Sequence, residues 1–200
     1  MVNPLPSPAQ WPLALLGPYL ERRVADLSPG PAIRVRVCSG SRGKAGRLSA
    51  AMLNGRARIT RHPDGRPLAN GGYGLSHAYA DGLMFAVAGR RTLGCDIEAI
   101  APRAPGVWKG LLGPDRFQLA EQIGVERDED LDIAATRVWA AMESIRKSGL
   151  PSAAPMTIAS HHDDGWLLLR SGSFIVVGTV LAVRSAERDL AVAIAAEEAT

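Results

Sequence analysis

The stretch Leu93 to Ile100 reads LGCDIEAI and sets Asp96 and Glu98 two residues apart in an otherwise apolar run. Successive side chains of a strand point to opposite faces, so both acids share one face while Cys95, Ile97 and Ala99 turn towards a core. Carboxylates held this close repel one another, and a hard divalent cation relieves that repulsion. The plainer reading is an edge strand with two solvated acids. Further along, Trp139, Glu143 and Lys147 stand at i, i+4 and i+8, which is one face of a helix. Taken alone, they are a surface Glu–Lys pair beside a core tryptophan. Residues 42 to 61 carry a heavy basic load, including Lys44, Arg47, Arg56 and Arg58. That stretch is either a solvated face or a cluster that holds phosphates.

Other pairings are weaker. Ser76-His77 lacks the G-x-S-x-G elbow of a hydrolase, and neighbours in a strand point opposite ways. His161-His162-Asp163-Asp164 precedes Gly165 between strand signals and reads as a polar turn. There is no GxxxxGK[ST] loop, and the aromatic residues are too few and scattered to stack a nucleic acid.

Several elements must position these residues. Residues 1 to 10 form a Pro-punctuated lead-in. Leu15, Leu16, Leu20, Val24 and Leu27 predict a helix over 12–27, broken at Gly17-Pro18. Ile33, Val35 and Val37 alternate with arginines as a half-buried strand. Pro63-Asp64-Gly65 centres a turn. Leu83, Phe85 and Val87, followed closely by the acid-bearing strand, predict a hairpin that puts Ser76-His77 and Asp96/Glu98 in neighbouring elements of one sheet. Residues 101–115, rich in Pro and Gly, read as a connection, followed by a short polar helix over 116–122. A clear helix covers 131–148, ended by Gly149 and Pro151. Strands are predicted near 156–159, 165–170, 174–183 and 190–195. The order predicts an α+β chain of two similarly built halves, 1–100 and 116–200, forming one functional domain.

With 200 residues the chain can bury one large core or two small ones, and at 46% hydrophobic and 22% charged it is globular in composition. A net charge of +3 suits an anionic ligand or acidic partner. The two cysteines, Cys38 and Cys95, lie in apolar strands without metal-ligand spacing, which fits a reduced, cytoplasmic setting. Neither a secretory signal nor a membrane-spanning run is expected, so a membrane is not an expected partner, and the scarce aromatic residues make nucleic acid an unexpected one too.

GRP at 65–67, LSHA at 75–78, LGCDIE at 93–98 and WAAMESIRK at 139–147 occur in the order and spacing of a known family. Over roughly residues 33 to 195 the chain resembles the surfactin-type 4′-phosphopantetheinyl transferases. It is similar in particular to actinobacterial members that serve polyketide and fatty-acid synthases. The resemblance implies a pseudo-twofold α+β fold with coenzyme A between the halves. It implies transfer of 4′-phosphopantetheine to a serine of an acyl or peptidyl carrier protein, releasing adenosine 3′,5′-bisphosphate. Asp96, Glu98 and Glu143 then hold Mg²⁺ on the diphosphate, with Glu143 as the candidate base. Ser76, His77 and Lys147 contact phosphates, and Arg66 lies near the adenosine end. Arg56, with Lys44 and Arg47 more loosely, stands for the 3′-phosphate. The carrier protein is expected to present an acidic helix, and the chain to act as a monomer or as part of a larger synthase. One position departs: Met142 stands where the family has a lysine. The alternative is a catalytically degenerate domain of the same fold that docks a carrier protein or synthase.

Overall fold

The computed structural model describes residues 10–40, 44–63, 65–151 and 153–198. Nearly all of the lead-in, and Asp64 of the expected turn, lie outside the described residues. The chain is an α+β fold. Helix α1 (Leu13–Leu27) is followed by β1 (Ile33–Ser39), α2 (Ala45–Leu53), and the short strands β2 (Ile59–Arg61) and β3 (Pro67–Ala69). Next come β4 (Gly74–Ala80), β5 (Leu83–Gly89) and β6 (Leu93–Ala99), then α3 (Pro105–Arg127) and α4 (Leu131–Ser148). Four strands end the chain: β7 (Thr157–His161), β8 (Leu167–Ser171), β9 (Phe174–Leu181) and β10 (Leu190–Glu197).

The strands form a sheet ordered β1-β5-β4, a sheet ordered β6-β10-β9-β8-β7, and the β2-β3 ribbon. One core joins α1 and the three-stranded sheet to one face of the five-stranded sheet. The second lies between its other face and helices α3 and α4. Strand β10 shows how one sequence serves both. Leu190, Val192 and Ile194 enter the first core, while Ala191, Ala193 and Ala195 face the helices, as alternation along a strand requires. Small residues on that side let α4 sit close. No helix among the described residues is long and apolar enough to cross a membrane.

Three expectations need correction. Gly17 and Pro18 do not break α1, which runs through both. A Cβ at Gly17 would lie 3.1 Å from the Val35 carbonyl, so glycine lets the helix rest on β1, and Glu21 Oε1 accepts a hydrogen bond from Val35 N at 2.8 Å. Burial of Leu16, Leu20 and Val24 outweighs the one hydrogen bond lost to proline.

The expected hairpin of β5 and β6 does not form. Strand β5 pairs back on β4 through Asp81-Gly82, both at positive φ as a type I′ turn requires. Strand β6 leaves that sheet and pairs with β10, Leu93 opposite Ala196 and Ala99 opposite Leu190. Ser76-His77 and Asp96/Glu98 therefore belong to different sheets, although β4 and β6 lie side by side.

Residues 101–115 are not merely a connection. Helix α3 begins at Pro105, bends at Gly113-Pro114 and reaches Arg127. Proline in a first turn is compatible with a helix, and burial of Trp108 and Leu112 supplies the driving force. Asp132 at the start of α4 fixes this turn, accepting from Trp108 Nε1 at 2.7 Å and Arg103 N at 3.0 Å.

Helix α4 spans the residues expected of it and ends on Gly149 in the left-handed region. It presses on β6 at Gly94, where a Cβ would come within 1.8 Å of the Ser144 carbonyl. Any side chain there forces the helix off the strand. Gly94→Ala is expected to lower unfolding stability by about 3 kcal/mol or more in urea denaturation. Gly110→Ala, in α3 with open space around it, is expected to be neutral or stabilising by up to about 1 kcal/mol.

Candidate functional site

With β6 locked against α4, the even-numbered acids of the strand and one face of the helix meet. Asp96 is 3% exposed, and its Oδ1 is 2.5 Å from Lys147 Nζ. Glu98 Oε1 accepts from Trp139 Nε1 at 3.1 Å. Trp139, Glu143 and Lys147 therefore share the α4 face that meets these acids, while Cys95 and Ile97 enter the core as the alternation predicts.

Each acid has its own local partner. Arg146 holds Glu143 from three residues on, with Nη2 2.6 Å from Oε2 and Nε 3.1 Å from both oxygens. Asp96 is different, because its Oδ2 is buried with no hydrogen-bond partner. Burial pushes the Asp96 carboxyl up to about 7; the Lys147 ammonium opposes this, and the negative charges of Glu98 and Glu143 add to it.

His77 reaches the same pocket from β4. Its Nδ1 is buried and unpartnered, and its ring meets Tyr79 edge-on with centroids 5.7 Å apart. Burial, then the charges of Lys147 and Arg61, hold its pKa below the usual histidine value, so the imidazole is neutral at pH 7. Ser76 points the other way: it is buried, and its Oγ accepts a hydrogen bond from Cys95 N at 3.1 Å, tying β4 to β6.

These side chains enclose a pocket of about 440 Å³ lined also by Arg61, Tyr79 and Arg146. Its charged groups are the carboxylates of Asp96, Glu98 and Glu143 and the cations Arg61, Arg146 and Lys147. With His77 neutral, three cations face three carboxyl groups, of which Asp96 is only partly ionised near pH 7. Among the described residues no group of three His, Cys, Asp or Glu side chains is already disposed as a metal site.

Arg61 and Tyr79 were not singled out in the sequence. Arg61 ends β2 and is steadied by donating to the Gly65 carbonyl at 2.9 Å. Nothing local marks it, because the ribbon that carries it is joined to the site only in space. Tyr79 stands two residues after His77 on one strand face, and that spacing is its signal.

Arg66 lines an adjoining hollow of about 370 Å³ together with Lys147, Ser148 and Tyr73, and lies against Gly149 at the end of α4. Lys147 is common to this hollow and the carboxylate pocket. Arg56 lines a third cavity. Lys44 and Arg47 are exposed at the start of α2 and line none of these three. Met142 is buried in the helix-side core and does not line the pocket. A lysine there would have to extend out of an apolar contact. The chain matches no family model and no curated protein.

The raised Asp96 carboxyl has a consequence for stability. Between its unfolded value near 3.8 and about 7, the folded protein keeps a proton that the unfolded chain releases. Stability therefore falls as pH rises through that window and stays lower above it. Asp96→Asn is expected to raise unfolding stability by on the order of 1–3 kcal/mol at pH 8. The gain should vanish below pH 4, as read from urea denaturation across pH.

Proposed function

We propose that the protein transfers 4′-phosphopantetheine from coenzyme A to a serine of an acyl or peptidyl carrier protein, as an Mg²⁺-dependent enzyme of the surfactin-type transferase kind. The observation that carries this reading is the convergence of His77 from β4, Asp96 and Glu98 from β6, and Glu143 and Lys147 from α4 on one pocket. The same residues make up the motifs on which the resemblance rests. The reading brings with it the arrangement of two similar halves with the pocket at their junction.

A divalent cation fits the donor set. The unpartnered Oδ2 of Asp96, and the repulsion of Glu98 and Glu143 on it, mark where positive charge is missing. Asp96, Glu98 and Glu143 would hold Mg²⁺, with Arg146 and Lys147 turning from their carboxylates to phosphate oxygens. A metal held there would neutralise diphosphate charge and stabilise the leaving oxygen. With Asp96, Glu98 and Glu143 on its wall, the pocket favours a diphosphate that arrives together with such a cation. Neutral His77 donates a hydrogen bond to a phosphate oxygen, and Arg61 adds charge on the far wall. The serine oxygen attacks the phosphorus that bears pantetheine, and the phosphorus–oxygen bond to adenosine 3′,5′-bisphosphate breaks. Glu143 takes the serine proton.

The second reading, a docking module, draws on the fact that Asp96 and Glu143 already have cationic partners. Mass spectrometry of an apo carrier protein incubated with coenzyme A, Mg²⁺ and this protein separates the two. The expected result is a gain of the phosphopantetheine mass, abolished by chelation and reduced at least about 100-fold by Asp96→Ala. No gain with several carriers leaves the docking module standing.

Arg146→Gln tests the exchange of partners. Freeing Glu143 is expected to tighten Mg²⁺ binding to the free protein several-fold. Losing a phosphate contact is expected to weaken coenzyme A binding about ten-fold at saturating Mg²⁺. Calorimetry of each ligand reads the two opposite shifts.

A further inference from the structure

The third cavity, the one that Arg56 lines, lies between the start of β1, the end of β5 and the C-terminal end of α2. Strand β1 is at the opposite edge of the three-stranded sheet from β4, and the cavity shares no residue with the carboxylate pocket. It measures about 290 Å³. Its floor is apolar, with Leu53 and Ala88 buried in a small cluster of their own and Met52 and Tyr73 packed beside them. Its rim carries Arg34, Arg56 and Arg90, and no acidic residue lines it. Among the described residues none of these three arginines is paired with a carboxylate.

Two of the guanidiniums converge on Tyr73, and Arg34 lines the same rim. Arg90 Nε donates to the Tyr73 hydroxyl at 3.3 Å, and its Cζ lies 5.0 Å from the ring centre. Arg56 also bonds that hydroxyl, and the two arginines together hold the phenol below its ordinary pKa. Like charges gathered over an apolar floor repel, and a dianion removes the repulsion while accepting paired N–H donors. The apolar floor of Leu53, Ala88 and Met52 calls for a flat apolar group on that anion. The volume is at the low end for ligand cavities, so the molecule is small.

From this we infer that the cavity binds a small aryl phosphate monoester, distinct from any ligand of the carboxylate pocket. Arg34, Arg56 and Arg90 hold the phosphate, and the ring rests on Leu53 and Ala88 beside Tyr73. The inference does not rest on the transferase reading; under that reading Arg56 serves this cavity and not the 3′-phosphate of coenzyme A.

Phenyl phosphate is the probe, titrated calorimetrically into the full chain. Binding is expected, with inorganic phosphate weaker. Arg34→Gln and Arg90→Gln should each weaken phenyl phosphate about ten-fold or more, whereas Lys147→Gln in the carboxylate pocket should leave it unchanged. Arg34 and Arg90 are exposed, so both variants should keep the far-ultraviolet circular dichroism of the parent. No binding of phenyl phosphate, binding that survives both arginine changes, or binding lost with Lys147→Gln overturns the proposal. Equal affinity for inorganic phosphate removes the aryl part of it.

Discussion

The site depends on a steric constraint, the near-contact of β6 with α4 at Gly94 and Ser144. Backbone against backbone leaves the helix no room to slide along the strand. That register puts Lys147 beside Asp96 and Trp139 beside Glu98 without any loop intervening. Alanines 191, 193 and 195 on β10 carry the same closeness across the sheet. Side chains set on two regular elements in fixed contact keep their separations better than side chains on loops. His77 joins through a second tie, the Ser76 hydroxyl that receives the Cys95 N–H. Ser76 thus holds two sheets together at the point where the chemistry is expected.

Electrostatics within the pocket follows from that closeness. Asp96 is too buried to be comfortable as an anion, and one ammonium offsets only part of the cost. Glu143 and Arg146 are more exposed, so their ion pair is weak and exchangeable. The site thus combines one deeply buried acid with one labile ion pair.

Much of this was legible in the sequence where a pattern was local. Period two placed Asp96 and Glu98 on one face, and the i, i+4, i+8 spacing placed Trp139, Glu143 and Lys147 on another. Helix α4 was readable because its apolar face and its terminating glycine agree. What failed was pairing and context. Nearness in sequence points to a hairpin of β5 and β6, although Asp81-Gly82 carries the stronger turn signal one strand earlier. Helix α3 hid behind Pro105, Gly113 and Pro114, whose local preferences yield to the burial of Trp108 and Leu112. Arg61 and the cluster of Arg34, Arg56 and Arg90 are brought together only by the folded chain.

The contact of Glu21 with the Val35 N–H has a consequence for how copies of this molecule meet. Strand β1 is the outer strand of its sheet, and an incoming strand finds one of its central donors already taken. The opposite edge, β4, is covered by β6. In the larger sheet the free edge is β7, whose pairing slips between Ile158 and Ser160 and whose end is tied down by His161 to Glu126. An irregular, charged edge is a poor template for strand addition. Growth of the two larger sheets by strand addition is thereby disfavoured at β1, β4 and β7.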